Sequence, residues 1–362
     1  MIYLDYSATT GVSSSVLDKF NETETKYYAN PNSMHSFGLL SRSVINNSIN
    51  DICKTLGIFP DELIFTSGAS ESNNTVLKGL GVSHIITTKL EHSSITTPCG
   101  YLQTKGIRVS FVSLDENGLI SMSSLKELIG SEETLVSIGA VNSETGIRQN
   151  IEEIGSFLKK YPNVTFHSDI TQALGKVPIS LENVDLASFS FHKIFGFKGI
   201  GGLIKKRNIR FIPLIHGGKS LSIYRSGTPQ TGLITSSSVA IKEAFSELDK
   251  KYKYVKELNT YLKEAIKDIV LINSNDKCIP HILNFSIIGK SSEDTLNYFS
   301  SNDIFISSKT ACSSGSYSFV INELYDDMER AETSVRVSLS YKTTYEELAI
   351  FIDKLKEWVK CK

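Results

Sequence analysis

The sequence predicts an α/β protein with a mainly parallel sheet covered by helices, and two observations carry this prediction. Short strand-like apolar runs alternate with segments of helical periodicity, an order that is typical of parallel sheets. No internal repeat or low-complexity stretch interrupts the alternation. The strand-like runs cover residues 62–67, 84–88, 108–114, 135–141, 164–169 and 185–191.

An early helix is predicted from the spacing of apolar residues. Residues 38–57 place five of them near helical spacing, and Gly57 is the expected stop. These five residues are Leu40, Ile45, Ile49, Ile52 and Leu56.

The C-terminal third predicts further helices and a second domain. From Ile241 to Val270 the apolar residues return at steps of three and four, which predicts one long amphipathic helix. We expect the boundary to a smaller C-terminal domain there, near residue 250. A last helix is expected to begin at Thr344, because Glu347 three residues on completes a capping box.

Composition and charge narrow the classes of function. The 362 residues are 40% hydrophobic, and 38 basic side chains balance 39 acidic ones. Without blocks of like charge, neither a nucleic acid nor a membrane is indicated as a direct partner. We read no signal peptide and expect a cytoplasmic protein. The five cysteines are scattered without CxxC pairs, which argues against a disulfide framework and a zinc site: Cys53, Cys99, Cys278, Cys312 and Cys361.

Candidate functional residues follow the strand-like runs, where open α/β sheets bind their ligands. The stretch FTSGASESNN (65–74) turns on Gly68 and opens a predicted helix at Ser70, whose start either binds a phosphate or is a plain cap. In HSDITQALGK (167–176), Asp169 either caps a helix or holds a cationic heterocycle, and Gln172 lies one turn further. His92, after another strand, is either structural or catalytic.

Lys193 stands in an aromatic run, SFSFHKIFGFKGIGG (188–202), beside Ser190 and His192. A lysine that forms an imine with an aldehyde cofactor must be held close to it and shielded from water. We expect Gly196, Gly199, Gly201 and Gly202 to be loop glycines that let the backbone pass close to a ligand. Together, a phosphate cradle, an acidic partner, a histidine and this lysine are what a pyridoxal phosphate site needs.

At this point the sequence resembles a known family, the cysteine desulfurases of the class V aminotransferases, in the NifS/IscS-like branch of the fold-type I pyridoxal phosphate enzymes. The matching blocks run nearly end to end: YLDYSATT (3–10), NPNSMHSFG (30–38), FTSGASESNN (65–74), EH (91–92), VNSETG (141–146), HSDITQALGK (167–176), SFSFHKIFGFKGIG (188–201), RSGTPQT (225–231), SSKTACSSG (307–315) and SVRVSLS (334–340).

The resemblance implies a fold and an assembly. We expect a large domain, residues 12–250, with a mainly parallel seven-stranded sheet that binds pyridoxal 5'-phosphate. Residues 1–11 and 251–362 would form a small α+β domain that carries the cysteine loop. Two copies of the chain would assemble as a homodimer.

The resemblance also implies roles for the candidate residues. Lys193 would bind the cofactor covalently and later carry a proton, Asp169 would pair with its pyridine nitrogen, and Gln172 would donate to its phenolic oxygen. His92 would stack on the ring and assist proton transfer. The phosphate would lie among Ala69, Ser70, Ser190, His192 and, from the partner subunit, Thr228.

Two further residues would act on the substrate, L-cysteine. Arg336 would clamp its carboxylate, with Ser143 also close to the substrate and cofactor. Cys312, which taken alone reads more readily as an inert loop thiol, would attack the substrate sulfur. Alanine would leave, and the persulfide would pass to a sulfur acceptor or scaffold protein for iron–sulfur cluster assembly or tRNA thiolation.

The chain departs from the family pattern in several blocks. Ser143 stands where the family usually has asparagine, and the glycine-rich block after His216 reads GGKSL (217–221). The loop after Cys312 is about two residues shorter than in close relatives, and Phe197 replaces a common proline. These changes leave acceptor choice and turnover open.

Alternative functions remain at this stage. Another class V enzyme, such as a selenocysteine lyase, a C–S lyase or an aminotransferase, would share most of the motifs, although an aminotransferase needs no thiol at position 312. A non-catalytic scaffold descended from the family would be expected to have lost Lys193 or Asp169, and both are present.

Overall fold

The computed structural model describes residues 1–308 and 317–360. Its strands are β1 Ile2–Tyr3, β2 Leu63–Thr66, β3 His84–Thr87, β4 Arg108–Phe111, β5 Thr134–Ser137, β6 Val164–Asp169, β7 Leu186–Ser190, β8 Gly201–Lys205, β9 Leu271–Ile272, β10 Ile282–Ser286, β11 Ile304–Phe305 and β12 Ser334–Ser338. Its α-helices are α1 Ser14–Lys26, α2 Ser36–Leu56, α3 Ala69–Gly79, α4 Ser93–Gln103, α5 Met122–Leu128, α6 Ile151–Leu158, α7 Thr231–Phe245, α8 Leu248–Ile266, α9 Ser292–Ser301, α10 Phe319–Tyr325, α11 Met328–Glu332 and α12 Tyr345–Lys360.

The central element is a seven-stranded sheet in the order β2-β8-β7-β6-β5-β3-β4. All of its strands run parallel except β8, which is antiparallel to both β7 and β2. Strands β5, β7 and β8 are buried along their whole length, as expected of strands covered on both faces. The predicted α/β class and the seven-stranded sheet are confirmed, and all six strand-like runs contain strands.

One expectation about the sheet is wrong. Gly201 and Gly202 are not in a loop but form the start of β8, where they pair with Ser190 and Phe189 of β7. A side chain on Gly202 would meet the Phe189 ring at 2.4 Å. Glycine is required in this strand because β7 and the loop before α3 press against it.

A smaller sheet and a second apolar core lie in the C-terminal part of the chain. Strands β12, β10 and β9 form an antiparallel sheet, and β1 pairs with β11 in parallel. The core beneath them draws Ile2 and Leu4 from the N-terminus together with residues from Val255 to Leu355. On this basis the division into residues 12–250 and the rest stays our proposal for the domain organisation.

The single long helix predicted from Ile241 to Val270 is wrong. The structure has two helices, α7 and α8, separated at Ser246, which is extended, and Glu247, which is left-handed with φ 50°. The Ser246 hydroxyl and the Lys251 amine donate to the carbonyl of Glu243 and so satisfy the end of α7. Each helix has its own apolar face, since α7 packs on the large core and α8 on the small one. The two apolar faces follow each other in the sequence without a gap, so the break is not visible in the spacing.

Other local predictions are confirmed. Helix α2 ends at Gly57 in the left-handed conformation, with φ 67°. At the start of α12, the Thr344 N–H donates to Glu347 Oε2 over 2.9 Å and the Glu347 N–H donates to Thr344 Oγ1 over 3.2 Å, which is the predicted capping box. Within the described ranges, no helix combines the length and apolarity that a membrane crossing requires.

Candidate active site

A cavity of about 240 Å³ opens beyond the carboxyl ends of the central strands, between the large sheet and β12. It brings together most of the predicted site residues, which lie far apart in the sequence. Those that line it are Ala69, Ser70, His92, Ser143, Asp169, Gln172, Ser190, His192, Lys193 and Arg336.

The start of α3 forms one end of the cavity. The Ala69 N–H donates to Ser190 Oγ over 2.7 Å, so the helix start and the end of β7 are joined by a serine hydroxyl. A Cβ on Gly201 would lie 2.5 Å from the Gly68 Cα, so only glycine allows the two backbones to approach this closely. The result is a helix N-terminus with hydroxyl groups beside it, which is suited to an anion such as a phosphate.

Asp169 ends β6 and is held on both carboxylate oxygens. Oδ1 accepts from the Thr171 N–H over 2.9 Å, and Oδ2 accepts from Asn73 Nδ2 over 2.8 Å. Asn73 is fully buried and also donates to Ser94 Oγ. The carboxylate is therefore fixed in direction before any ligand is present, as a partner for a ring nitrogen must be.

His92 is the N-cap of α4. Its Nδ1 accepts from the Ser94 N–H over 3.1 Å, which assigns the proton of the neutral ring to Nε2. Burial lowers the pKa of His92, Lys193 adds to this effect, and Asp169 opposes it. The cavity is thus lined by a neutral imidazole that still has an N–H to donate.

Lys193 follows β7 in a single 3₁₀ turn, Phe191–Lys193. Its Nζ donates to the carbonyls of Ser7 over 2.7 Å and Ala8 over 2.6 Å. These carbonyls belong to residues 5–10, which we name the N-terminal strap and of which Ser7 and Ala8 line the cavity. Lys193 is therefore not an exposed charge but a half-buried amine whose position the strap defines.

The strap also fixes the groups next to Lys193. Thr9 Oγ1 lies 3.1 Å from His192 Nδ1, and Thr10 Oγ1 accepts from the Phe195 N–H over 2.8 Å. Phe195 is left-handed, with φ 63°, a conformation that costs free energy for a bulky residue. Burial, with Lys193 and Lys198 adding, lowers the pKa of His192 to about 4, so this ring is neutral at neutral pH.

Arg336 reaches the cavity from β12 and is almost fully buried. Its Nη1 donates to the Ser143 carbonyl over 2.9 Å, and the same carbonyl accepts from the Ser7 hydroxyl over 3.1 Å. Asp5 forms an ion pair with the guanidinium. The arrangement suits the binding of a carboxylate, because a planar guanidinium recognises it with two parallel hydrogen bonds.

Two predicted residues are not in this cavity. Thr228 is exposed and lines a separate pocket of about 80 Å³, together with Gly199 and Arg225, which leaves it available to a second copy of the chain. Cys312 lies outside the described residues. The flanking residues are anchored beside the cavity: Ser307 pairs with the backbone of Arg336, and Ser318 donates to Glu144 Oε2 over 2.6 Å.

A class-V aminotransferase model matches residues 2–351 of the chain. The chain belongs to this family. The cysteine desulfurase IscS of Rickettsia bellii is 38% identical over 96% of this chain and 88% of its own length. A solved structure titled "NifS-like protein" superposes with a TM-score of 0.93 at 31% identity and covers 99% of both chains. Another, titled "SspA in complex with cysteine", has a TM-score of 0.84 at 30% identity over 95% of this chain and all of its own.

Membership of the family confirms the resemblance to NifS/IscS-like cysteine desulfurases and makes pyridoxal phosphate the cofactor. The residues of the cavity fit that group in their chemistry. A helix start with hydroxyls suits the phosphate, a fixed carboxylate suits the pyridine nitrogen, and the Lys193 amine lines the same cavity. The glycine contact between Gly201 and Gly68 is a cradle that a single Cβ would fill.

Several residues of the site were quoted in the sequence motifs without a role. Asn73 fixes Asp169, Asp5 pairs with Arg336, and Glu91 is half-buried with both carboxylate oxygens accepting from the Gly139 N–H. Burial raises the pKa of Glu91 to about 7. Each stands in a recognisable block, so the motif was the available signal, while the partner could be named only from the fold.

Proposed function

We propose that the protein is a cysteine desulfurase that removes sulfur from L-cysteine, releases L-alanine and holds the sulfur as a persulfide on Cys312. The observation that carries this proposal is the convergence of Lys193, Asp169, His92 and Arg336 on one cavity in a chain whose relatives are named cysteine desulfurases. Pyridoxal phosphate, when bound, supplies an electron sink that acidifies the substrate α-carbon.

Residues of the chain bind the substrate, hold the cofactor and transfer the proton. Arg336 binds the substrate carboxylate, and Asp169 holds the ring nitrogen in its charged form, which strengthens the electron sink. Lys193 Nζ would hold the cofactor and, once free, would take the substrate α-proton and return it. His92 would contact the cofactor ring and could donate its Nε2–H, while Ala69, Ser70, Ser190 and His192, which line the same cavity, would hold the phosphate.

Sulfur transfer needs a thiolate as the nucleophile. The Cys312 thiolate attacks the substrate sulfur, a sulfur–sulfur bond forms, and the electron pair of the C–S bond stays with the carbon that becomes the alanine methyl group. The anchoring of Ser307 at Arg336 and of Ser318 at Glu144 supports this role, because Arg336 lines the cavity and Glu144 directly follows Ser143, which also lines it.

The test is to incubate the purified protein with cysteine and a reductant and to measure alanine and sulfide together. We expect equal amounts from the wild type. Cys312→Ala should stay yellow with bound cofactor and release no sulfide, and Cys278→Ala serves as the matched control because Cys278 lies outside the cavity. Undiminished sulfide from Cys312→Ala would favour a C–S lyase or selenocysteine lyase instead.

The covalent attachment of the cofactor to Lys193 is tested by the yellow absorbance of the protein. Lys193→Ala should not become yellow with pyridoxal phosphate, because the covalent link to the amine is lost, whereas Lys198→Ala should. A yellow Lys193→Ala protein would show that another amine holds the cofactor.

We further propose a homodimer in which Thr228 completes the phosphate site of the partner. Exposed apolar side chains in the same stretch support this assembly, since such groups mark interaction surfaces: Ile212, Leu214, Ile215 and Ile223. Mixed dimers of Lys193→Ala and Thr228→Asp chains should regain activity, because one of the two sites then has both native residues. If mixed dimers form but regain no activity, Thr228 does not contribute to the phosphate site of the partner.

The persulfide is proposed to pass to a scaffold protein of iron–sulfur cluster assembly, as the IscS names of the relatives suggest. Transfer of radiolabelled sulfur from the Cys312 persulfide to such a scaffold tests this step. The tRNA thiolation route and a cytoplasmic location stay predictions.

A further inference from the structure

A half-buried lysine outside the assigned site, Lys176, contacts Gln172, one of the predicted cofactor-binding residues. Its Nζ lies 2.6 Å from Gln172 Oε1, and Gln172 Nε2 donates to the Ser7 carbonyl over 2.8 Å. Gly175 is left-handed, with φ 66°, and turns the chain so that Lys176 returns to Gln172. A row of three groups thus joins Lys176 to the N-terminal strap through the Gln172 amide.

This row fixes which way the amide points. If the Gln172 amide were reversed, its NH₂ group would face the Lys176 amine and its oxygen would face the Ser7 carbonyl. With Lys176 charged, both contacts would then pair like groups and both hydrogen bonds would be lost; with Lys176 neutral, the two oxygens would still face each other. In the observed orientation the oxygen is engaged by Lys176 and one N–H by Ser7. Gln172 therefore has one N–H left, a donor, for a group in the cavity.

Lys176 can keep this contact in either protonation state. Burial, with Lys193 and Arg336 adding, lowers the pKa of Lys176 to about 7. An ammonium and a neutral amine both carry N–H donors, so the bond to Gln172 Oε1 does not depend on the charge. Other titratable groups also lie near Lys176. His192 is one of them, and the charge of Lys176 helps to lower its pKa. Four more line a small adjoining cavity together with Lys176: Tyr6, Lys251, His281 and Tyr341.

We propose that Lys176 is a positioning residue that holds the Gln172 amide with its N–H towards the phenolic oxygen of the cofactor. The inference rests on the proposed function, in which Gln172 contacts that oxygen. A hydrogen bond to the phenolate favours its charged form. By fixing that donor, Lys176 lowers the pH at which the yellow form of the bound cofactor loses its proton.

The experiment compares holoenzymes by absorbance, without relying on turnover. Lys176→Met should shift the pH midpoint of the yellow band upward by about 0.5–1 pH unit, the effect of one lost hydrogen bond. Lys205→Met is the control, because Lys205 is also a lysine whose amine donates within the fold, to the carbonyls of Lys206 and Ile209, and it does not line the cavity. Its midpoint should equal that of the wild type.

A double-mutant cycle separates action through Gln172 from a direct effect of the lysine charge. In a Gln172→Met background, Lys176→Met should cause no further shift; a full further shift would overturn the proposal. Lys176→Gln, which keeps an N–H donor, should stay within about 0.3 pH unit of the wild type. If Lys176→Met does not fold, a Lys176→Gln midpoint as high as that of Gln172→Met overturns the proposal equally. A wild-type protein that never turns yellow with pyridoxal phosphate would instead refute the proposed function.

Discussion

Asp5 and Arg336 form a buried ion pair that joins the N-terminal strap to β12. Asp5 Oδ1 lies 2.7 Å from Arg336 Nη2, and only about 2% of the arginine side chain is exposed. Nη1 is taken by the Ser143 carbonyl, whereas Nε has no hydrogen-bond acceptor among the described residues. The guanidinium is therefore oriented before substrate arrives and retains a donor for it.

The first prediction concerns the fork geometry of this arginine. Arg336→Lys keeps the charge but cannot hold Asp5 and a substrate carboxylate with separate, parallel donors. We expect KM for cysteine to rise roughly 10- to 100-fold, the loss of one charge-assisted hydrogen bond, with a smaller change in kcat. Steady-state kinetics measure this. Arg148→Lys should leave KM unchanged, because the Arg148 guanidinium donates to the Pro178 carbonyl and does not line the cavity, and an unchanged KM in Arg336→Lys would contradict the assignment.

The second prediction concerns the other half of the pair. Asp5→Ala leaves the buried guanidinium without its counter-charge and should lower the free energy of unfolding by about 3 kcal/mol. Urea denaturation of the cofactor-free protein measures it. Asp18→Ala on helix α1 is the control and should change stability by less than about 0.5 kcal/mol. Equal stability of Asp5→Ala and wild type would mean that water reaches Arg336 and replaces the carboxylate.

The third prediction tests the glycine contact behind the phosphate site. Gly201→Ala places a Cβ 2.5 Å from Gly68 Cα and 2.6 Å from the Phe189 carbonyl oxygen, so the start of α3 must move. We expect pyridoxal phosphate to bind at least tenfold more weakly, as measured by equilibrium dialysis. Gly100→Ala in α4, where no atom lies within 4 Å of the added Cβ, should bind normally. Normal binding by Gly201→Ala would show that the cradle tolerates the displacement.

The fourth prediction uses His167, which lies on β6 under the site. Its Nδ1 lies 2.9 Å from Ser137 Oγ and its Nε2 lies 2.9 Å from Ser188 Oγ. Burial lowers the pKa of His167 to about 4, whereas an unfolded histidine has a pKa near 6.5. Between these values the unfolded chain binds the proton and the folded chain does not, so stability falls as the pH falls from about 6.5 to about 4.

His167→Gln removes this titration. The wild type should lose about 1.4 kcal/mol more unfolding free energy per pH unit than the variant across that window. Because Glu91 has a raised pKa and acts in the opposite direction, the slope is compared between the two proteins and not read from one. His216→Gln, an exposed histidine, is the control. Parallel slopes for wild type and His167→Gln would mean that His167 is charged in the fold.

The sequence predicted the fold class and most of the cavity because functional residues in an α/β protein lie at strand ends, where strand periodicity stops. Asp169 and Ser190 were found in this way, and His92 followed from the next strand. Local chemistry was also readable, as the Thr344–Glu347 capping box shows. Motifs then placed Arg336, which lies on a strand and carries no local signal.

What the sequence did not predict depends on tertiary contacts. Asp5 meets Arg336 across 331 residues, and no spacing rule links positions so distant. The break between α7 and α8 at Glu247 could not be read from the sequence. The two helices face different cores, but their apolar residues continue at the same spacing of three and four. Strand β8 was read as loop because glycines usually weaken strands, whereas here close neighbours require them.

The pairing of β1 and of the N-terminal strap with later parts of the chain has a consequence for biosynthesis. Ile2 and Asp5 are made long before their partners, Ile304 and Ser338. At ~5–20 residues per second, the ribosome needs roughly a quarter of a minute or more to reach them. The central sheet needs no residue beyond Lys205, so it can form while translation continues. The site is then completed last, when residues around Arg336 and Ser338 have been synthesised and pair with Asp5.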